Sequence, residues 1–218
     1  MSAVHVLATP DKEREADAEG GAPIELTVAF TDLEDFTAYT EAEGDDAASR
    51  LLIGHHRESE PIVRSRGGRV LKRLGDGLML TFPEPEAAVL ACLELSEAAP
   101  LRLRAGIHGG KVLVTGDDVI GHVVNLAARV TESAAGGELV VTDHVRTAVG
   151  DLRGVAFDGP YTCGFKGIEE KVPVYLASRH VCRLADPQTD PAGPDSWMED
   201  ANDHARNRPH RPHRAQPG

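Results

Sequence analysis

Residues 69–82 have the sequence RVLKRLGDGLMLTF, in which two β-forming runs flank Gly75-Asp76-Gly77. Asp-Gly between such runs is a strong hairpin signal, because both residue types tolerate the positive φ angles of a tight turn. We therefore predict two strands, residues 69–74 and 78–82, joined by a turn that carries Asp76.

The segments on both sides extend this hairpin into a sheet with helices. Upstream, ELTVAFT at residues 25–31 predicts a buried strand, and a helix over residues 45–66 ends at a Gly-Gly pair. Downstream, apolar residues at helical spacing predict a helix over residues 85–98, and alternating Leu and Arg predict a strand over residues 101–108. The order strand–helix–strand–strand–helix–strand is that of a ferredoxin-like βαββαβ sheet.

The remainder of the folded part is predicted to add C-terminal αβ elements to this core. A strand at residues 111–115 is expected to pair with residues 101–108 across a turn at Gly109-Gly110. The later elements are a helix at 123–135, a strand at 138–142, a short helix at 143–149, and strands near 155 and at 172–177. The fold class is therefore α+β.

Composition and charge exclude several classes of function. The 218-residue chain has a formal net charge of -12 and only 4% aromatic residues, which argues against a nucleic-acid partner or an anionic membrane surface. Its three cysteines, Cys92, Cys163 and Cys182, form no CxxC motif and indicate neither a disulfide framework nor a zinc site. No apolar run is long enough for a signal peptide or a membrane span. The expectation is a reduced, cytoplasmic protein.

The chain is predicted to contain one folded domain with two flexible ends. Residues 1–22 are polar and acidic and are interpreted as a flexible leader, whereas residues 23–179 have the pattern of a folded domain. Residues 180–218 are rich in Pro, Arg and His and poor in apolar residues, so they cannot bury enough surface to fold alone. We predict that this tail is disordered.

Two aspartates at strand ends are candidate metal ligands. Asp32 follows the strand at residues 25–31, where a carboxylate can hold a metal ion and the next amides can face phosphate oxygens. The alternative is a helix N-cap, since Asp32 and Asp35 have capping-box spacing. Asp76 could serve the hairpin turn alone, but paired with Asp32 it would supply the second carboxylate for two metal ions in an in-line displacement.

A third motif, DVIGHVVNLAAR at residues 118–129, places two polar residues on one face of a predicted helix. Asn125 and Arg129 are four residues apart and therefore project from the same side. An exposed polar stripe is the alternative, but the flanking residues are apolar and Asn is a poor helix former.

These three stretches, in this order and spacing, resemble the class III adenylate/guanylate cyclases. The similarity runs from about residue 25 to residue 177 and includes FKGI at 165–168 and VPVY at 172–175. It implies the class III nucleotidyl cyclase fold and a bacterial, soluble, adenylate-type catalytic domain. The implied reaction is the conversion of ATP to 3′,5′-cyclic AMP and pyrophosphate.

The resemblance also implies roles for single residues. Asp32 and Asp76 correspond to the aspartates that bind two divalent ions, Mg²⁺ or Mn²⁺. Lys72 and Asp118 correspond to the pair that selects the base, in which Lys donates to a ring nitrogen and Asp accepts from the exocyclic amine of adenine. Guanine presents the opposite pattern at these edges, so the pair favours ATP over GTP.

The other implied roles concern the ribose and the phosphates. Asn125 corresponds to the residue that orients the ribose, Arg129 to the one that stabilises charge at the α-phosphate, and Lys166 to a contact with the terminal phosphates. In the family the metal aspartates come from one subunit and the other residues from its partner. The resemblance therefore implies a homodimer with shared active sites.

One position departs from the family pattern. Asp35 stands where a glycine is usual, and together with Glu34 it adds negative charge near an anionic ligand. We expect Asp35 to cap the following helix, which would leave ATP binding intact. If it faces the phosphates instead, the chain is a catalytically weak pseudo-cyclase that acts as a nucleotide-binding or dimerisation module. Lys72 and Asp118 oppose a guanylate cyclase, and a polymerase-like palm would not explain Asn125 and Arg129.

Overall fold

The computed structural model describes residues 22–180, which form one large sheet with helices on both faces. The leader predicted at residues 1–22 and the tail predicted at residues 180–218 lie outside the described residues except for Ala22 and His180. In chain order the elements are β1 (Ile24–Leu33), α1 (Phe36–Glu43), α2 (Asp45–Ser65), β2 (Arg69–Leu74), β3 (Gly77–Phe82), α3 (Pro85–Ala98), β4 (Leu103–Thr115), β5 (Asp118–Ile120), α4 (His122–Ser133), β6 (Leu139–Thr142), α5 (Asp143–Val149), β7 (Val155–Cys163) and β8 (Val172–Arg179).

The sheet has the strand order β2-β3-β1-β4-β6-β8-β7, with β5 paired to β4 alone. Strand β1 lies between β3 and β4 and is antiparallel to both, which is the ferredoxin-like arrangement. Strand β6 adds parallel to β4, and β8 and β7 continue the sheet in antiparallel fashion. The predicted α+β fold with a βαββαβ core and C-terminal αβ elements is confirmed.

The predicted hairpin at Gly109-Gly110 is wrong, because β4 runs through both glycines without a turn. Residues 103–112 of β4 pair with the whole of β1, from Ile24 opposite Val112 to Leu33 opposite Leu103. The turn lies later, where Thr115 pairs with Asp118 of β5. Gly109 serves close packing instead, since a Cβ there would lie 3.1 Å from the His144 ring. Helix α1 is a further element that the sequence pattern did not predict.

Two layers of helices cover the sheet. On one face α2, α3 and α5 enclose the main core, which includes Val63, Phe82 and Leu95. On the other face α4 packs on β1 and β4. This helix approaches closely because Gly106 of β4 has no side chain, and a Cβ there would lie 2.3 Å from the backbone nitrogen of Thr131.

The sheet face that carries α4 is only partly covered. A small core that includes Val28, Met79 and Val123 lies beneath the helix. Around it are apolar side chains that remain partly accessible to solvent, namely Leu26, Phe30, Leu71, Val114 and Val124.

Within residues 22–180, none of the helices combines the length and apolar character needed to cross a membrane.

Candidate active site

Asp32 and Asp76 are brought together by the pairing of β1 with β3. Asp32 lies near the end of β1, and the β2–β3 turn places Asp76 beside it, where Thr31 is in register with Leu78. The pKa of the Asp76 carboxyl is raised, first by burial and then by the negative charge of Asp32. The two carboxylates are therefore close enough to repel each other, and they would gain from a shared positive charge.

Arg104 supplies such a charge in the structure. It lies opposite Asp32 in the β1–β4 register, and its Nε donates a hydrogen bond of 2.7 Å to Asp32 Oδ2. Its Nη2 donates to the same oxygen. Arg104 was not predicted from the sequence, because alternating Leu and Arg indicate only a half-exposed strand. Arg104 can be recognised only once the pairing of β1 with β4 is known, since this pairing places it beside the candidate metal ligand Asp32.

A cleft of about 700 Å³ opens beside this pair and is lined mostly by the end of β1, the turn that follows it and the first half of α1. Asp32, Asp76 and Arg104 lie along its wall, together with residues 33–38 and Glu41. In the described part of the chain, no group of three or more His, Cys, Asp or Glu side chains converges as a metal site would. An ion bound to Asp32 and Asp76 would therefore need further ligands from a nucleotide or water.

The expectation that the Asp35 side chain caps the next helix is wrong. Asp35 occupies the N-cap position of α1, and its carbonyl accepts a 2.9 Å hydrogen bond from the Tyr39 amide. Its carboxylate, however, makes no capping hydrogen bond, and Asp35 is one of the residues that line the 700 Å³ cleft. The backbone is left-handed here, with φ 59°, and Asp35 is the one non-glycine residue with positive φ among those described. Left-handed geometry explains why glycine suits this position, and Asp is one of the few other residues that tolerate it.

The neighbouring Glu34 is held by the protein instead. Its Oε1 accepts a 3.0 Å hydrogen bond from the Gly136 amide, and its Oε2 lies 3.3 Å from Arg102 Nη1. A Cβ on Gly136 would lie 2.0 Å from the Glu34 carboxylate, so the glycine makes room for this contact. The charge of Glu34 is thus compensated by Arg102, whereas the exposed Asp35 has no ion pair among the described residues.

Lys72 and Asp118 form an ion pair. Lys72 Nζ of β2 lies 2.5 Å from Asp118 Oδ2 at the start of β5. The hydrogen bond from Lys72 lowers the pKa of the Asp118 carboxyl, and its other oxygen accepts a 2.8 Å bond from the Val119 amide. Both side chains are partly exposed, so a ligand can reach them. The structure therefore places the two predicted base-selecting residues in contact, as an ionised donor beside an ionised acceptor.

Asn125, Arg129 and Lys166 line a second cleft, of about 380 Å³. Asn125 and Arg129 project from one face of α4, and Lys166 reaches the same space from the loop between β7 and β8. Arg129 Nη1 donates to both carboxylate oxygens of Glu132, at 2.8 Å and 2.6 Å. Glu132 was not predicted as a site residue, although its i,i+3 spacing from Arg129 allows the contact on any helix.

The predicted residues thus form separate groups within one chain. Asp32 and Asp76 line the larger cleft, while Asn125, Arg129 and Lys166 line the smaller one. Lys72 borders neither of these two clefts. Within the described residues of a single chain, then, no one cavity collects all seven.

The fold and these groups define a mixed α+β domain with a two-carboxylate centre and a separate helix-borne cationic face. The family model of the adenylate and guanylate cyclase catalytic domain matches residues 23–175. The chain belongs to this family, which confirms the resemblance seen in the motifs.

Two bacterial proteins illustrate the relationship in sequence. An uncharacterized protein of Mycobacterium bovis is 33% identical over 159 residues, covering 71% of this chain and 41% of that protein. A pH-sensitive adenylate cyclase of Mycobacterium tuberculosis is 32% identical over 201 residues, covering 84% of this chain and 49% of that protein. The chain therefore spans less than half the length of these two relatives.

Solved structures share the fold. The adenylyl cyclase CyaB from P. aeruginosa superposes with a TM-score of 0.65 at 22% identity, covering 75% of this chain and 98% of that one. The guanylate cyclase domain of RhGC from Catenaria anguillulae, solved with GTP, gives a TM-score of 0.64 at 20% identity, covering 72% of this chain and 97% of that one. Because enzymes named for either nucleotide share the fold, the choice of substrate must be argued from residues.

Proposed function

We propose that the chain is the catalytic domain of an adenylate cyclase that converts ATP to 3′,5′-cyclic AMP and pyrophosphate. The observation that carries the choice of ATP is the contact between Lys72 and Asp118. An ammonium group donates to the ring nitrogen of adenine, and a carboxylate accepts from its exocyclic amine. Guanine offers a donor and an acceptor in the reverse order, so the same pair would repel it.

Asp32 and Asp76 would hold divalent cations, Mg²⁺ or Mn²⁺, and the chemistry of this pair fits them. Carboxylate oxygens are the ligands that these hard ions prefer. The pKa of Asp76 is raised by burial and by Asp32. Arg104 is paired with Asp32, so a cation beside Asp76 would stabilise the carboxylate that Arg104 does not contact. When bound, such ions would make the ribose 3′-hydroxyl a better nucleophile and screen the triphosphate.

The cationic face of α4 would bind and orient the rest of the nucleotide. Asn125 offers an amide to the ribose, and Arg129 offers a donor fork to charge that develops at the α-phosphate. Lys166, in the same 380 Å³ cleft, would contact the terminal phosphates. These residues together would hold the 3′-hydroxyl near the phosphorus that it attacks.

A homodimer would unite the two groups of residues. In one chain the carboxylate cleft, which is the 700 Å³ cleft lined by Asp32 and Asp76, is separate from the cationic cleft, which is the 380 Å³ cleft lined by Arg129 and Lys166. The sheet face around α4 also leaves apolar side chains such as Phe30 and Leu71 partly exposed. A two-fold symmetric pair that buries this face would create two equivalent composite sites. Residues 23–179 would be the domain that dimerises.

Asp35 favours a second candidate, a catalytically weak pseudo-cyclase that binds nucleotide or dimerises. Asp35 lines the 700 Å³ cleft beside Asp32 and Asp76, where metal ions would hold the triphosphate, and its carboxylate has no capping partner. An extra negative charge there opposes a triphosphate, so low affinity for ATP would favour this candidate.

Cyclic nucleotide production by the purified chain tests the proposal. ATP and GTP are supplied separately, each in Mg²⁺ and in Mn²⁺, and the products are separated by chromatography. Cyclic AMP from ATP with little cyclic GMP is the expected result. No product under any condition from a folded protein would contradict the cyclase and favour the pseudo-cyclase, and weak binding of ATP by that protein would agree with the extra charge of Asp35.

Mixing two inactive variants tests the shared site. Asp32→Ala and Arg129→Ala chains should each be inactive, and their mixture should regain activity because one of the two composite sites is intact. Sedimentation must confirm that mixed dimers form. If they form and stay inactive, the two groups of residues do not act across an interface.

A further inference from the structure

Glu132 is a charged residue of the cationic cleft to which the proposed reaction gives no role. It lies about one turn after Arg129 on α4, and both of its oxygens accept from Arg129 Nη1. Its side chain is 62% exposed and that of Arg129 is 40% exposed, so the pair faces solvent where a ligand can enter. Glu132 borders the 380 Å³ cleft and also a third cleft, of about 270 Å³, that Asp32 and Arg104 line.

The position of Glu132 is fixed by close packing of the preceding residue. The Thr131 backbone lies against Gly106, where a Cβ would come within 2.3 Å of its nitrogen. The Thr131 hydroxyl donates to the Ala127 carbonyl at 2.9 Å and lies 3.4 Å from the Phe30 carbonyl. This end of α4 is thus held against β1, which keeps the backbone of Glu132 beside the 380 Å³ and 270 Å³ clefts.

We propose that Glu132 acts through Arg129, as a positioning residue that competes with the nucleotide phosphate for the guanidinium group. This inference rests on the proposed function. A phosphate that engages Nη1 must displace the Glu132 oxygens, and the carboxylate repels an anion that enters the cleft. The pair therefore lowers both nucleotide affinity and turnover. Exposed ion pairs of this kind are weak, so the effect corresponds to about a two- to fivefold change.

The test measures binding and turnover in Glu132→Gln and Glu132→Ala. Binding is measured by calorimetry with 3′-deoxy-ATP and Mg²⁺, because this nucleotide lacks the hydroxyl needed to cyclise. We expect Kd to fall about two- to fivefold in both variants, and kcat/KM for ATP to rise by at least as much. Glu58→Gln is the matched control, since Glu58 is an exposed helical carboxylate 3.7 Å from Arg57 and away from both clefts. Its Kd should equal that of the wild type.

The Arg129→Ala variant shows whether Glu132 affects nucleotide affinity through Arg129 or through direct repulsion between its carboxylate and the phosphates. In that background Glu132→Gln should leave the Kd for 3′-deoxy-ATP unchanged, because the group for which the two anions compete is gone. An equal gain there would overturn the proposal. So would an unchanged or increased Kd in folded Glu132→Gln and Glu132→Ala.

The outcomes also separate this inference from the proposed function. If the wild-type chain makes cyclic AMP and Glu132→Gln does not change the Kd, the role of Glu132 is refuted and the proposed cyclase activity is retained. If the chain makes no product but the variants show the expected changes in Kd, the competition between Glu132 and the phosphate for Arg129 is supported and the cyclase activity is refuted. A chain that binds no 3′-deoxy-ATP refutes both.

Discussion

Replacement of Asp35 tests whether its charge limits the binding of ATP. Asp35→Gly removes the carboxylate and restores the residue type that suits a left-handed backbone, here with φ 59° and ψ 21°. Asp35→Asn removes only the charge, because Asn tolerates this conformation as well as Asp does. A charge effect should therefore be equal in the two variants, whereas an effect of backbone strain should be confined to glycine.

The expected magnitude follows from the dimensions of the cleft. A sphere of 700 Å³ has a radius of about 5.5 Å and a diameter of about 11 Å, so we take roughly 8 Å, a value between the two, as the distance from a lining carboxylate to a bound phosphate. At that separation and a dielectric constant of about 80, two unit charges interact by about 0.5 kcal/mol. A metal-bound triphosphate that keeps about two negative charges would lose about 1 kcal/mol, or about fivefold in affinity.

The assay is the KM for ATP at two salt concentrations. At low salt both variants should have a KM two- to fivefold below that of the wild type, with kcat changed little. At about 0.5 M salt the difference should shrink, because the screening length falls well below the dimensions of the cleft. Asp151→Asn is the matched control, since Asp151 is fully exposed between α5 and β7 and its loss removes the same charge.

Two results would refute this reasoning. If Asp35→Asn leaves KM unchanged while Asp35→Gly lowers it, the backbone and not the charge is responsible. If neither variant lowers KM, Asp35 does not face the bound triphosphate, and the main physical argument for a weak pseudo-cyclase is lost.

Further predictions concern the other charged groups. Asp76→Ala should abolish turnover while its circular dichroism stays that of the wild type, and retained activity would contradict the metal assignment. Asp118→Asn should reduce the preference for ATP over GTP by about tenfold, because an amide can donate where the carboxylate only accepts; an unchanged ratio of kcat/KM would show that another residue selects the base. The pKa of His108 is lowered to about 4 by burial and by the facing His144 and His122, so the folded chain should lose up to about 3 kcal/mol as pH falls from about 6.5 to 4. Urea unfolding at several pH values measures this loss. A weaker dependence of the unfolding free energy on pH in His108→Gln would confirm that His108 causes it.

The sequence predicted the core topology because its signals are local. The β2–β3 hairpin is encoded by Gly75-Asp76-Gly77 and its flanking strands. The structure contains it, with Gly75 and Asp76 as the turn residues between the paired Leu74 and Gly77. The failure at Gly109-Gly110 is instructive, since a glycine pair predicts a turn when its neighbours in space are unknown. Those neighbours include His144, which lies far along the chain. Helix α1 was missed because it buries no residue and includes three Thr and Tyr residues of poor helix propensity.

The candidate site was predictable in its residue types but not in its contacts. Asp32, Asp76, Asn125 and Arg129 were found from motifs, whereas Arg104 depends on the register between β1 and β4. That register follows from long-range pairing, which no local pattern encodes. The conformation of Asp35 is a similar case. Capping-box spacing predicts that its side chain accepts a capping hydrogen bond, but its backbone is left-handed and its side chain accepts none.

The contacts of the candidate site share one physical property, which is internal compensation of charge. Asp32 is paired with Arg104, Asp118 with Lys72, and Arg129 with Glu132. Under the proposed function, a metal–nucleotide complex brings both positive and negative charge, and it would exchange these internal pairs for pairs with itself. The affinity for ATP is then a difference between two sets of ion pairs and not the sum of the new ones. Single charge removals should therefore raise affinity at Asp35 and Glu132 and lower it at Asp76 and Arg129. A uniform loss of affinity at all four positions would be inconsistent with this exchange.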